Sequence, residues 1–158
     1  MNSQTFSLSQ LKQKAEQFCA YQERCHKEVV QRLYQWRATP EDQNEILVHL
    51  IENNFLNEER FARSFARGKH RIKKYGKVKI VNELKFRNIS SYNIQKALEE
   101  ISGQEYQLAF EELSEKAWHS INEKNQLKKK KKFCDYLFRK GYESELVFKA
   151  WSELSKTS

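Results

Sequence analysis

Four glycines and one proline are the only strong chain breakers in these 158 residues. Gly and Pro punctuate turns and strands, so their scarcity favours helices joined by short loops. No segment alternates apolar and polar residues at a period of two over a useful length, which argues against a sheet. No apolar run approaches the ~18–20 residues that span a bilayer. The opening stretch, MNSQTFSLSQ, lacks the charged and apolar regions of a secretory leader. A cytoplasmic protein is the expectation.

Chemistry-bearing patterns are equally sparse. The three cysteines, Cys19, Cys25 and Cys134, show neither a disulfide framework nor zinc spacing. They read as reduced packing residues. Asp occurs only at 42 and 135, and His26, His49, His70 and His119 are scattered. There is no phosphate-cradling Gly-rich loop, no nucleophile motif and no clustered carboxylates. No catalytic residue, metal site or cofactor is expected, and the chain reads as a non-enzyme.

What is present is helix signal and positive charge. Hydrophobic residues are 39% of the chain and the net charge is +8, with a pI near 9.3. Such a balance points to anionic partners rather than to a fold. Ser7 with Gln10 fits a capping box, with Phe6 and Leu11 as its hydrophobic staple. Thr39-Pro40-Glu41-Asp42 is a strong helix start, and Asn57 can cap a long fourth helix. Further helices are predicted near 77–87, 91–101, 104–121, 126–140 and 143–155.

The helices fall into threes. A shift of 53 residues brings Ile80, Val81 and Leu84 onto Phe133, Cys134 and Leu137, and Asn88 onto Gly141. Asn and Gly best tolerate the left-handed position that ends a helix. Val29, Val30 and Leu33 match the same pattern again. The expectation is an all-α fold of three tandem three-helix repeats, 5–54, 55–102 and 103–156, stacked into an elongated, curved array.

The most telling stretch is 55–90, FLNEERFARSFARGKHRIKKYGKVKIVNELKFRNIS. It carries Phe55-Leu56, Glu58-Glu59, Phe61-Ala62, the basic run Arg67 to Lys74, Gly76, Glu83-Leu84 and Arg87-Asn88-Ile89. The third unit repeats the turn as Arg139-Lys140-Gly141-Tyr142. On these residues the chain resembles the RecX family of recombination regulators. Asn57 and Glu58 stand where the family usually has two aspartates, and Asn88 replaces its glycine. The resemblance implies a cytoplasmic protein that binds the RecA recombinase filament, lies along its groove and restrains its activity. It supplies no catalytic residues.

The basic run has its own physical logic. Residues 60–79 hold nine Lys and Arg, and no Asp or Glu occurs from Arg60 to Asn82. On a helix, Arg60, Arg63, Arg67, Arg71 and Lys74 fall within an arc of about 80°, a row roughly 21 Å long. Phe61, Phe65, Gly68 and Ile72 form a separate apolar arc, flanked by Lys69 and Lys73. Like charges at i,i+4 destabilise by ~0.2–0.5 kcal/mol each, and an anionic partner would reverse that. Arg can grip phosphate or carboxylate with two hydrogen bonds. A second run, Lys128, Lys129, Lys130, Lys131 and Lys132, overlays 75–79, so Lys77 and Lys79 join the candidate set. Both runs begin a middle helix, where the dipole disfavours cations. A merely solvated face, and a loop over 124–132, are the plainer alternatives. Glu99, Glu100, Glu105, Glu111, Glu112 and Glu115 form an acidic stretch that could pair internally with the lysines.

The expected partner is the recombinase filament, with single- or double-stranded DNA as a possible contact, and the expected state is a monomer. The competing reading is a helix-turn-helix DNA reader over 77–101. Its second helix offers Asn93, Gln95 and Lys96 but ends in Glu99-Glu100. Trp36, Trp118 and Trp151 read as core residues rather than stacking platforms.

Overall fold

A computed structural model describes residues 5–157 of the chain, with the side chain of Thr157 left undescribed. The first four residues of the stretch read above for a leader lie outside it. Among the described residues there are nine helices and no strand: α1 (Leu8–Tyr21), α2 (His26–Gln35), α3 (Pro40–Glu52), α4 (Glu58–Lys73), α5 (Lys77–Phe86), α6 (Ser91–Leu98), α7 (Gly103–Ser120), α8 (Gln126–Lys140) and α9 (Ser144–Thr157). The fold is all-α and built of tandem three-helix repeats.

The starts of the helices follow their caps. Ser7 and Gln10 exchange both capping-box hydrogen bonds, at 2.8 and 3.1 Å. Thr39 accepts from the Asp42 N–H ahead of Pro40. Asn57 accepts from the Arg60 N–H at 2.9 Å, and Asn125 from the Lys128 N–H at 3.0 Å. Residues from Gln126 onward are therefore helical, and the five lysines lie on α8 rather than in a loop.

The ends of the middle helices carry the repeat. Arg37, Asn88 and Gly141 have φ of 63°, 60° and 98°. In each case the following N–H, of Ala38, Ile89 or Tyr142, donates to the carbonyl of Leu33, Leu84 or Leu137 at 3.0–3.2 Å. Those three leucines are fully buried, and the three residues past the cap are buried too. This is one Schellman stop written three times, with the apolar contact that usually accompanies it. The sequence pointed to Asn88 and Gly141. Arg37 does the same job with a residue that rarely adopts this conformation.

By packing, the helices form two compact units, Met1–Ser64 with Leu84–Ala97, and Phe65–Glu83 with Leu98–Ser158. The first holds a core of Leu11, Ala15, Val29, Leu33, Ile46 and Leu50, with Phe6 and Trp36 packed against it. In the second, α7, α8 and α9 pack pairwise on one another. Phe110, Phe133, Leu137 and Val147 fill that core. Trp118 packs edge-on against Phe133 and Trp151, at 5.9 and 5.2 Å between centroids. The tryptophans are packing residues, as expected. Burial in the same cores makes the thiols harder to ionise: Cys19 and Cys25 are pushed up to about 11 by desolvation.

One stripe is displaced. The buried residues of α4 are Phe61, Ala62, Ala66 and His70, whereas Ile72 is 82% exposed and Phe65 only half-buried. The apolar arc drawn through Phe61, Phe65, Gly68 and Ile72 is off by about one residue. The two alanines present no bulk, so the helix backbone can approach its neighbours closely. His70 is accommodated because its Nδ1 bonds the Tyr75 carbonyl at 2.9 Å and its ring lies 5.5 Å from that of Tyr106.

Two glycines make a backbone junction within the second unit. The Gly76 N–H donates to the Lys140 carbonyl at 2.7 Å, and the Val78 N–H to the Gly141 carbonyl at 2.9 Å. A Cβ on Gly76 would stand 2.3 Å from the Gly141 oxygen. Gly68, by contrast, sits in mid-helix with nothing within 4 Å of its missing Cβ. Opposite outcomes are expected from the same change. Gly76→Ala lowers unfolding free energy by about 1–3 kcal/mol through overpacking. Gly68→Ala raises it by about 0.5–1 kcal/mol through helix propensity. Denaturant titration of the two variants beside the parent chain measures both.

Candidate anion-binding interface

The arginine row predicted on α4 exists, but it is not bare. The Arg60 Nε donates to Glu23 at 2.6 Å, and its other nitrogens reach the Asn54 side chain and the Asn54 and Phe55 carbonyls. Arg63 pairs with Glu59 at 3.0 Å, one turn back on α4. Arg67 pairs with Glu100 at 2.5 Å and Arg71 with Glu105 at 3.0 Å. The premise of an unpaired row is thus corrected. The acids missing from 60–82 are supplied from positions beyond it, Glu100 and Glu105 coming from the acidic stretch. Two members of that stretch, Glu100 and Glu105, thus pair with arginines of α4. These pairs are partly exposed, so each is worth ~0–1 kcal/mol. They cancel charge at a distance more than they add stability.

The lysines behave differently. Lys69, Lys73 and Lys79 place their ammonium groups 6.0, 5.8 and 4.3 Å from the ring centroid of Tyr75. Lys77 lies 4.7 Å from that of Tyr106. Lys79 also donates to the Arg139 carbonyl, and Lys140 to the Lys73 carbonyl at 3.1 Å. Tyr142 donates its hydroxyl to the Lys74 carbonyl at 2.8 Å. The end of α4, the start of α5 and the end of α8 are thereby gathered in one place. None of these lysines has a carboxylate partner among the described residues.

A groove of about 680 Å³ lies beside this cluster. Its basic lining is Lys73, Lys74, Lys116, Lys132, Arg139 and Lys140, and no carboxylate lines it. Ile72, Leu113, Ala117 and Ile121 supply apolar surface, and Tyr75 and Tyr136 add rings with hydroxyls. The exposed Ile72 therefore borders the groove. Lys132 is the one lining cation seen with an acid, Glu123, at 3.2 Å. That hydrogen bond holds the Glu123 carboxyl below its usual range. Of the remaining lysine run, Lys131 pairs with Asp135 at 2.8 Å, Lys129 sits 3.7 Å over Trp118 and Lys130 lies 5.9 Å from Phe148. The Lys128 side chain has no partner among the described residues. The run thus splays around α8 and only Lys132 turns to the groove.

Lys116, Arg139 and Lys140 escaped the sequence reading. In sequence Arg139 and Lys140 belong to a helix-ending turn, and Lys116 is isolated in its helix. What brings them in is tertiary contact. Charge counts agree with the geometry. The second unit holds 18 Lys and Arg against 12 Asp and Glu, a net +6, of the chain's +8. A cation-walled groove with aromatic and apolar flooring suits a phosphate chain or an acidic peptide. No group of three or more His, Cys, Asp or Glu able to hold a metal occurs among the described residues. Nor is any described helix long and apolar enough to cross a membrane.

Fold and groove together define a repeat-built helical protein with a groove lined by cations. Family models for the second and third three-helix domains of RecX match residues 57–98 and 104–151. The chain belongs to the RecX family. It is 29% identical over 134 residues to a protein named regulatory protein RecX from Lactobacillus johnsonii, covering 85% of this chain and 49% of that one. A protein of the same name from Lactobacillus gasseri is 29% identical over 125 residues, with 69% and 46% covered. The chain spans about half the length of these relatives. Among solved structures, RecX from Lactobacillus salivarius superposes with a TM-score of 0.79 at 22% identity, covering 94% of this chain and 96% of that one. A second, titled regulatory protein RecX, gives 0.78 at 19%, covering 90% and 73%. The structural likeness bears on the fold.

The ion pairs of α4 have a simple consequence. Glu100→Gln and Glu105→Gln, each releasing one arginine, should change unfolding free energy by less than about 1 kcal/mol. The same variants should elute from a heparin column at higher salt than the parent. A large loss of stability in thermal melts would show that the pairs hold the fold rather than mask the charge.

Proposed function

We propose that this chain is a non-enzymatic regulator that binds a RecA–DNA filament through its basic surface and restrains the recombinase in DNA repair, acting in the cytoplasm. Membership of the RecX family supports the class. The single observation that carries the mode of binding is the groove walled by six cations and lined by no carboxylate. We place the principal contact at Lys73, Lys74, Lys77, Lys79, Arg139 and Lys140. Arg60, Arg63, Arg67 and Arg71 are secondary, because each must first leave a glutamate. Repeat boundaries at 5–54, 55–102 and 103–156 belong to the same proposal.

The physical argument rests on where repulsion is left uncompensated. Several ammonium groups within a few ångströms of one ring repel one another, and a bound polyanion removes that repulsion while releasing its own counterions. The helix-turn-helix alternative is weaker on this ground. On α6, Lys96 lies over Tyr92, and Glu100, just past its end, is already paired with Arg67.

The decisive experiment compares binding to naked single strand, to duplex and to recombinase-coated strand as salt is varied. A Lys74→Glu/Arg139→Glu/Lys140→Glu variant should bind the coated strand at least about tenfold more weakly near physiological salt, and should lose its inhibition of ATP hydrolysis. If phosphates are the ligand, each lost contact reduces the slope of log K against log salt by about 0.7 on a single strand. An Arg63→Ala/Arg67→Ala/Arg71→Ala variant should lose much less. Equal inhibition by the groove variant and the parent chain rejects the assignment.

A further inference from the structure

The three-helix set α7–α9 has a second groove of opposite character. It lies on the seam between α7 and α9 and measures about 490 Å³. Phe110, Leu146, Ala150 and Leu154 provide apolar lining. Glu111 and Glu115 on α7 and Glu153 on α9 form its rim, with Lys149 the sole cation. The carboxylates of Glu115 and Glu153 have no hydrogen bond or ion pair among the described residues, and that of Glu111 accepts only from the neutral Gln107 amide. This contrasts with Glu100, Glu105 and Glu123, each of which is satisfied by an Arg or Lys. In a unit of net +6 the groove is a local negative patch. Its two α7 carboxylates, at i and i+4, repel each other.

The same unit displays the matching surface. The first turns of α8 carry Leu127, which is 81% exposed, beside Lys128 and Lys130, neither of which has a carboxylate partner. Nothing in the fold of one copy uses Leu127. An exposed leucine flanked by lysines on a helix is the complement of an apolar groove rimmed by carboxylates. Within one molecule the two cannot meet. Because α8 packs on both α7 and α9, the outer seam of those two helices faces away from it.

We propose that the α7–α9 groove receives the N-terminal turns of α8 from a second copy of this chain. Leu127 enters between Phe110 and Leu154, and Lys128 and Lys130 face Glu111, Glu115 and Glu153. The contact is heterologous, since the two surfaces differ, so copies add head to tail. It departs from the monomer expected from sequence. It is small and charge-dominated, so it forms when copies are crowded together and is readily screened by salt.

The test needs neither DNA nor recombinase. Sedimentation velocity of the parent chain, over a wide concentration range, is run at about 0.05 M and about 0.5 M salt, where the screening length differs roughly threefold. Reversible association at low salt that weakens at high salt is expected. Glu111→Lys/Glu115→Lys and Lys128→Glu/Lys130→Glu should each self-associate about tenfold more weakly. Mixing the two should restore assembly, because an intact surface on each meets its complement on the other. Leu127→Ser, a fully surface change that leaves the core untouched, should weaken it similarly, with circular dichroism confirming the fold of every variant. A parent chain that stays monomeric throughout, or association that survives both charge reversals, or mixed variants that remain apart, overturns the proposal.

Discussion

The junction of Gly76 with Lys140 and Gly141 is the contact on which the basic surface depends. Two main-chain hydrogen bonds, at 2.7 and 2.9 Å, tie the start of α5 to the end of α8. Only the absence of a Cβ on either side lets the backbones come so near. The consequence is electrostatic. Lys73, Lys74, Lys77 and Lys79 arrive on one side of the junction, and Arg139 and Lys140 on the other. Two exposed cationic stretches would drift apart if left to Coulomb forces. Here each backbone bond contributes about 0.5–1.5 kcal/mol net, and the buried aromatic stack of Tyr106, Tyr142 and Phe110 adds packing around it. The Tyr106 hydroxyl donates to Glu143 and accepts from the Lys77 N–H, which fixes the first turn of α5. Its burial and that carboxylate hold its proton firmly, well above the ordinary range for tyrosine.

Basic residues in this chain divide by chemistry. Each arginine of α4 has a planar fork, and each has found a glutamate within 3.0 Å. The lysines around Tyr75 carry point charges on flexible stems. They cover ring faces and cap carbonyls while their heads remain near water. The arginine row is therefore masked by the chain's own glutamates, and the lysine cluster retains its charge. An anion approaching the second unit meets the lysines with their field intact.

Much of the fold was legible in the sequence because its determinants are local. Ser7, Thr39 and Asn57 announce helix starts within four residues of themselves, and Asn88 and Gly141 announce stops. The 53-residue shift exposes the repeat because equivalent core positions recur without gaps. The site was legible only in part. Counting charges found the basic run, but the glutamates that neutralise Arg60, Arg67 and Arg71 lie 33 to 37 residues away in sequence. Lys116, Arg139 and Lys140 could not be joined to Lys73 and Lys74 without the glycine junction. The stripe of α4 was misplaced for a related reason. Hydropathy favours Phe65 and Ile72, whereas packing favours the small Ala62 and Ala66, which admit a close neighbour, and a His70 whose ring nitrogen finds a carbonyl.

Helix α7 shows how one element can serve two opposite surfaces. Its Lys116, Leu113 and Ser120 line the basic groove with α8, and its Glu111 and Glu115 rim the acidic groove with α9. Residues 111 and 115 share a face at i,i+4, and 113, 116 and 120 share another at i,i+3 and i,i+7. The helix itself is indifferent to this partition, since Glu and Lys have similar helix propensities. Neither groove is needed to fill the core, which Phe110, Ala117 and Trp118 already do. A sequence under no constraint beyond folding would intersperse the signs and gain i,i+4 pairs. The segregation is partial: Glu112 and Lys116 on α7, and Lys149 and Glu153 on α9, keep opposite signs at i,i+4, so the separation of charge lies between the two grooves rather than along every helix face.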